Sequence, residues 1–453
     1  MPLYQKLLLL LGFFIPFSFA LSPAETIDLN ILKLFIPIIF IFWLTNSLLN
    51  KKIILDNRPR FWLLLTFLFI TFCSLFWTTS PESAFRKILF FTTTTPLYFI
   101  IYTASLDNNF LNKLLKALVL GGFFMSCFAL IFFILQFTIG LNSTLIILRD
   151  YTAPLFLGNS LSTLVNQYSS WLVNISGKTI LRTFGAFPDP HLFSLYLSMI
   201  LPVSIYLYKK YSQKKYLLFS LALLLAILLS FSRAAYLAII SGSLFLLFNS
   251  TPKNLFRKKI LLVYSTFVFL LFLFIVPNPL TSRLQSSFDF QEGSNSGRIE
   301  MWQTAIENIQ QNPITGLGLG GFADKLDSSL GIRNPIYAHN LLLDFGAETG
   351  IFNMLLLLIL LVSPILFYLS RKKNLPPDHL SKFIATSFVI FFIHSLFETP
   401  FFSIRVFPLF LILLAIKPSL QNKSAEVQSL RRQSNSEVEE EIVPRQASKK
   451  YFT

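Results

Sequence analysis

The chain has 453 residues, 54% of them hydrophobic and only 13% charged, with a mean hydropathy of +0.62; this balance places it among multispanning membrane proteins rather than soluble domains. Its net charge of +16 is carried by short Lys/Arg clusters between apolar runs, which is how inner-membrane proteins encode topology and not how a nucleic-acid partner is gripped. Cys73 and Cys127 both lie inside apolar segments with no CxxC or Cys/His spacing, which excludes a disulfide framework and a zinc site.

A spanning helix needs about twenty mostly apolar residues, and about twelve segments suit that role. They centre on residues 7–21, 29–49, 61–78, 85–102, 114–139, 191–208, 216–232, 234–248, 260–276, 341–369, 384–396 and 404–416. The expected fold is therefore all-α: a polytopic membrane domain over residues 1–416, followed by a polar tail, 417–453, that buries too little apolar surface to fold alone. The first segment, with Lys6 before it and SFALS at its end, also has the outline of a signal peptide. An uncleaved first helix keeps the number of spans even and the charge pattern regular, so it is the expectation here.

Lys and Arg mark cytoplasmic loops. Lys51, Lys52, Arg58 and Arg60 form one cluster; Lys209, Lys210, Lys214 and Lys215 a second; Lys253, Arg257, Lys258 and Lys259 a third; Arg371, Lys372, Lys373 and Lys382 a fourth. They alternate correctly if both termini are cytoplasmic, with Arg86 and Lys87 as the exception. Two long loops then fall outside: residues 141–190, with amphipathic pieces and a terminal ILRTFGAFPDPH, and residues 278–340. At roughly sixty residues the second is far longer than an ordinary connection, and such loops are usually functional. Short amphipathic helices are expected within it.

Arginine, not lysine, dominates the external side: Arg149, Arg182, Arg233, Arg283, Arg298, Arg333 and Arg405. A guanidinium grips phosphate oxygens bidentately and cannot lose its charge. The plainer reading of any one of them is a side chain that snorkels to lipid headgroups or pairs with a nearby carboxylate. Arg233, in FSRAAY at the junction of two spans, is costly there unless it faces a cavity or a partner. Arg298 opens a helical pattern with Trp302, Ala305 and Ile309, which Asn295 or Ser296 can cap and Asn312 and Pro313 stop. Placed in the first turn, it would share a phosphate with free backbone N–H groups.

GLGLGG, residues 316–321, follows a helix and a proline instead of a strand and lacks a P-loop lysine. It reads as a close-packed turn. His339, before Asn340 at the mouth of the next helix, has the chemistry to take a proton from a sugar hydroxyl. The plainer reading is an interfacial histidine that only hydrogen-bonds a neighbouring loop. Helical spacing would put His339, Leu343, Gly346 and Gly350 on one face, with Asp344 and Glu348 elsewhere. Glu348 is thus not an obvious partner for it. His394 with Glu398, and His191 beside Asp189, are weaker candidates.

These features together resemble the O-antigen ligase-like family, whose members include O-antigen ligases, O-antigen polymerases and bacterial protein oligosaccharyltransferases. The resemblance rests on Ser232-Arg233, the Arg298, Trp302 and Ala305 helix followed by Pro313 and GLGLGGF, and Ala338-His339-Asn340 followed by Glu348-Thr349-Gly350, and it runs over residues 180–365. SRAA stands where the family often has Ser-Arg-Gly. The resemblance implies metal-independent, cofactor-free transfer of a saccharide from an undecaprenyl pyrophosphate-linked donor to an acceptor hydroxyl, on a glycan or a lipid-A core, at the external face of the bacterial inner membrane. It gives arginines matching Arg233 and Arg298 to the donor pyrophosphate and a histidine matching His339 to the acceptor. Arg182, Arg333 and Asn340 join the expected substrate contacts. The competing expectation is a flippase or transporter, which calls for mid-span charges, broken helices and internal repeats that this sequence does not display.

Overall fold

The computed structural model describes residues 1–24, 27–166, 169–175, 177–249, 293–326, 337–372 and 379–417. Arg283, Arg333, the segment 260–276 and the tail 418–453 lie outside the described residues. Helices dominate. In order they are α1 (Leu3–Phe14), α2 (Leu32–Leu49), α3 (Pro59–Cys73), α4 (Pro81–Thr94), α5 (Pro96–Ala104) and α6 (Asn108–Thr138). Then come α7 (Leu141–Ile147), α8 (Ala153–Leu157), α9 (Asn159–Asn166), α10 (Pro190–Tyr211), α11 (Lys214–Leu228) and α12 (Arg233–Phe248). The last four are α13 (Gly293–Gln311), α14 (Leu341–Lys372), α15 (His379–Ser395) and α16 (Val406–Ala415).

Two short antiparallel hairpins depart from the all-α expectation. β1 (Ala20–Ala24) pairs with β2 (Ile27–Asn30), and β3 (Leu172–Ile175) pairs with β4 (Lys178–Leu181), in register from Leu172 opposite Leu181 to Ile175 opposite Lys178. In β3, Val173 and Ile175 point inward and Asn174 outward, an alternation only four residues long and too brief to stand out beside helical patterns.

Five helices among the described residues are long and apolar enough to cross a membrane: Leu32–Leu49, Pro59–Trp77, Asn108–Thr138, Pro190–Tyr211 and Leu341–Ser370. About twelve were expected; of the others, the segment 260–276 lies outside the described residues, and Leu3–Phe17, Arg233–Phe248, His379–Ser395 and Val406–Ala415 are apolar helices of fewer than 18 residues. Pro96 has no N–H to continue the ladder, so the segment at 85–102 divides into α4 and α5. α16 has only ten residues, about 15 Å, and all ten are buried inside the protein. It is a core strut packed on α5 and α10. α15 packs against α10, α12 and α14, while α3 packs on α14 and α1 on α6. α2, α3 and α6 keep large apolar side chains such as Ile41, Phe69 and Ile131 on the outer surface, as lipid contact requires.

The glycine-rich turn is close-packed, as its sequence suggests. α14 is interrupted at Gly350, with φ 83° and ψ 167°, and the backbone of residues 313–317 enters the gap: Ile351 N–H donates to Pro313 O at 2.8 Å and Leu317 N–H to Ala347 O at 2.9 Å. A Cβ on Gly316 would lie 2.5 Å from the carbonyl carbon of Glu348. On its other side the turn meets the corner between α3 and α4, where Trp77 Nε1 donates to Thr315 O at 2.9 Å and Thr78 Oγ1 to Leu319 O at 2.8 Å. The turn thereby fixes α13 against α14.

Candidate active site

α13 ends at Gln311, before Asn312 and Pro313, and its Ala305 is fully buried against α14. Ile309 lies where a side chain on Gly346 would clash with it. The helical reading of this stretch holds, with one correction. The chain is already helical at Gly293, so Asn295 and Ser296 sit inside the helix and Arg298 falls in its second turn.

Trp302, one turn beyond Arg298, donates through Nε1 to Ala338 O at 2.9 Å. On the opposite side of the same peptide unit's residue, Ala338 N–H donates to Asp344 Oδ1 at 2.6 Å. Between Ala338 and α14 stand His339 and Asn340. Asn340 Oδ1 accepts from Leu342 N–H at 3.1 Å and Leu343 N–H at 3.2 Å, which makes it the N-cap of α14. His339 takes a left-handed backbone conformation, φ 51°, uncommon for a non-glycine residue. It is consequently off the helix, and the face shared with Leu343, Gly346 and Gly350 does not include it.

This backbone turn directs the imidazole to Glu398, in the loop after α15. His339 Nδ1 lies 2.9 Å from Glu398 Oε1. Burial pushes the Glu398 carboxyl up, but the His339 charge and hydrogen bond, with the charges of His191 and Arg298, outweigh it and hold the group well below the usual carboxylate range. Glu398 Oε1 also accepts from Thr399 N–H at 3.2 Å. An ionised carboxylate only accepts, so in this contact Nδ1 of His339 carries the proton.

The pair stands on the wall of a cavity of about 550 Å³. Tyr337, Phe402, Phe90 and Phe156 give it aromatic surface, and α9 contributes Leu161, Leu164 and Val165. Tyr337 stacks on Phe402 at 5.5 Å, and burial, reinforced by the carboxylates of Glu348, Asp344 and Glu398, pushes its hydroxyl pKa up. The hairpin β1–β2 closes one side: Asp28 accepts from Ser22 Oγ at 2.8 Å and from Leu161 N–H at 2.7 Å. Arg405 also lines the cavity, donating to Ser18 O at 3.0 Å and Phe156 O at 2.9 Å. Burial lowers its pKa to about 9 against a raising contribution from Tyr196.

The expected site residues are only partly brought together. Arg298 is close enough for its charge to act on Glu398. Arg233 is the first residue of α12, directly after Ser232, whose Oγ lies 3.0 Å from His191 Nδ1. Arg182 is buried and donates to Ser230 O at 2.7 Å, Ser170 O at 3.0 Å and Phe231 O at 3.5 Å. These bonds brace the turn between α11 and α12, at which Arg233 begins the second helix. Asn340 likewise spends its side-chain oxygen on the helix cap. Arg333 lies outside the described residues. Asp189 is the N-cap of α10, through His191 N–H at 2.8 Å and Leu192 N–H at 2.9 Å. Glu398, a lesser candidate in the sequence, is the residue that the structure joins to His339. The only signal for it was a carboxylate in the short loop between the last two apolar segments.

A comparison with curated proteins gives no match. Residues 218–358 match the family model described as O-Antigen ligase, a stretch that includes Arg233, Arg298, His339 and Asn340 but not Glu398. With its apolar helices, the match makes the chain an integral membrane protein carrying an O-antigen ligase-like domain, the family its motifs resemble.

Proposed function

We propose that the protein is a metal-independent glycosyltransferase of the bacterial cytoplasmic membrane, moving a saccharide from an undecaprenyl pyrophosphate-linked donor to an acceptor hydroxyl at the external face, as an O-antigen ligase or polysaccharide polymerase. The observation that carries this reading is the His339–Glu398 pair on the wall of the cavity. With Nδ1–H directed at an ionised carboxylate, Nε2 is the general base. It takes the acceptor's hydroxyl proton while the acceptor oxygen bonds to the anomeric carbon. The anomeric C–O bond to phosphate breaks, and its electron pair leaves with undecaprenyl pyrophosphate. Arg298 and Arg233 neutralise that growing charge, the task a divalent cation would otherwise perform. The aromatic lining suits the apolar faces of sugar rings.

The test is a reconstituted assay with a synthetic undecaprenyl pyrophosphate-linked saccharide in the presence of EDTA, offering lipid-linked and lipid-A-core acceptors in parallel. Transfer to one acceptor class is expected, and its identity separates polymerase from ligase. Absence of transfer to either by folded, donor-binding protein, or full activity in His339→Ala, overturns the reading and returns the flippase to the lead.

A further inference from the structure

Two strands of chain that are far apart in sequence meet at His339 and Glu398, and neither is held by the pair alone. The residue before His339 and the residue after Glu398 both bond to one side chain. Asp344 Oδ1 accepts from Ala338 N–H at 2.6 Å, and Asp344 Oδ2 accepts from the Thr399 hydroxyl. Asp344 is itself 3% exposed and rides on the first turn of α14, one turn beyond the Asn340 cap, so its position is set by a helix rather than by a loop. The other polar group of Ala338, its carbonyl, is taken by Trp302 from α13. His339 sits between these anchors in a left-handed conformation that a non-glycine residue holds only when its surroundings over-determine it.

We infer that Asp344 is a positioning residue for the transfer reaction: by clasping Ala338 and Thr399 it holds the base and its carboxylate partner in register, without touching either. The inference rests on the reading of His339 as general base. It follows from the geometry of two oxygens on one rigid carboxylate. Fixing both neighbours from a single group removes the relative motion of two independent loops. That motion is what a misaligned base would suffer, and small misplacements of catalytic groups are costly in rate.

The experiment compares Asp344→Ala, Asp344→Asn, Thr399→Val, the double variant Asp344→Ala/Thr399→Val, and His339→Ala, each as full-length protein in proteoliposomes and normalised to folded protein. Asp344→Ala is expected to lower kcat about 10–100-fold while the KM for the lipid-linked donor stays at the wild-type value. Asp344→Asn retains an oxygen for Ala338 N–H and an amide for the Thr399 oxygen, and is expected to recover most of the rate. Thr399→Val should show a smaller loss of the same kind, and the double variant should be no slower than Asp344→Ala, because both changes open one clasp. Independent, multiplying losses overturn the inference, as does a fall in activity no larger than the fall in folded protein, or a loss borne by KM. The two readings separate cleanly. Should His339→Ala abolish transfer while Asp344→Ala retains it, the clasp fails and the base stands. Should His339→Ala transfer normally, the base assignment itself fails.

Discussion

Lys87 Nζ lies 2.6 Å from Glu348 Oε1, with both side chains buried, tying α4 to α14. The ammonium also sits 4.6 Å from the centroid of the Phe402 ring, a ring that lines the cavity. This pair accounts for the one basic cluster that runs against the alternation of charged loops. Lys87 is not a loop charge at all but half of an internal ion pair, whereas its neighbour Arg86 is exposed and pairs with Glu82 one helical turn away. It also explains why Glu348 is not the partner of His339. Removing one member should cost far more than the pair itself contributes, because a buried charge is left uncompensated. Glu348→Ala is expected to destabilise the protein by about 3–5 kcal/mol, and the double change Lys87→Met/Glu348→Leu by much less. Thermal unfolding in detergent measures both, and a Glu348→Ala variant that melts with the wild type would show that the pair is dispensable.

The close contact at the break in α14 makes a second expectation. Gly350 has φ 83°, and a Cβ there would run into the Ile314 carbonyl. Gly350→Ala therefore carries a left-handed backbone cost of about 1–2 kcal/mol in addition to the displacement of the 313–317 backbone. Since that backbone anchors α13, which carries Arg298 and Trp302, activity should fall together with stability. A variant with unchanged melting but full loss of transfer would point instead to a direct role for the turn in binding.

Arg298 separates charge from shape. If the guanidinium grips a pyrophosphate as a fork, Arg298→Ala should lower transfer about 100-fold or more, and Arg298→Lys should restore only part of it, since an ammonium offers a point charge without the planar pair of donors. The rates of the two variants at saturating donor are the measurement. Equal activity of Arg298→Lys and the wild type would reduce the role to electrostatics alone.

Most of the helical framework was legible because long apolar runs and their prolines are strong local signals: Pro59, Pro81 and Pro190 each open a helix in the structure. Pro96 carries the same signal and opens the second of the two helices into which the 85–102 segment divides. The two hairpins were not legible, since four-residue strands have too few residues for a period to emerge. His339 stands out in the sequence for its place before a helix, but its left-handed backbone and its contact with Glu398 are not written in any local pattern. Glu398 lies 59 positions away, and only the folding of α15 against α14 brings it across. Arg182 shows the same limit: three of its hydrogen bonds go to backbone carbonyls, partners that composition does not reveal.

Glu398 gives the prediction with the sharpest sign. Its carboxyl is held well below the ordinary range by His339, His191 and Arg298 despite burial, so the folded protein binds this proton less readily than the unfolded chain does. Such a group adds stability that is fully present above the unfolded carboxylate value of about 4.3 and is lost as the pH falls through the lower, folded value. Glu398→Gln, which cannot ionise, should therefore melt below the wild type by a constant interval at neutral pH. That interval should narrow as the pH is taken below about 4. Transfer at neutral pH should drop about 100-fold in the same variant, because an amide no longer holds Nδ1–H as an anion does and the lone pair on Nε2 is less firmly directed at the acceptor. A melting gap that stays constant down to pH 3, or a Glu398→Gln enzyme that transfers at the wild-type rate, would separate Glu398 from His339 and leave the histidine oriented by its backbone alone.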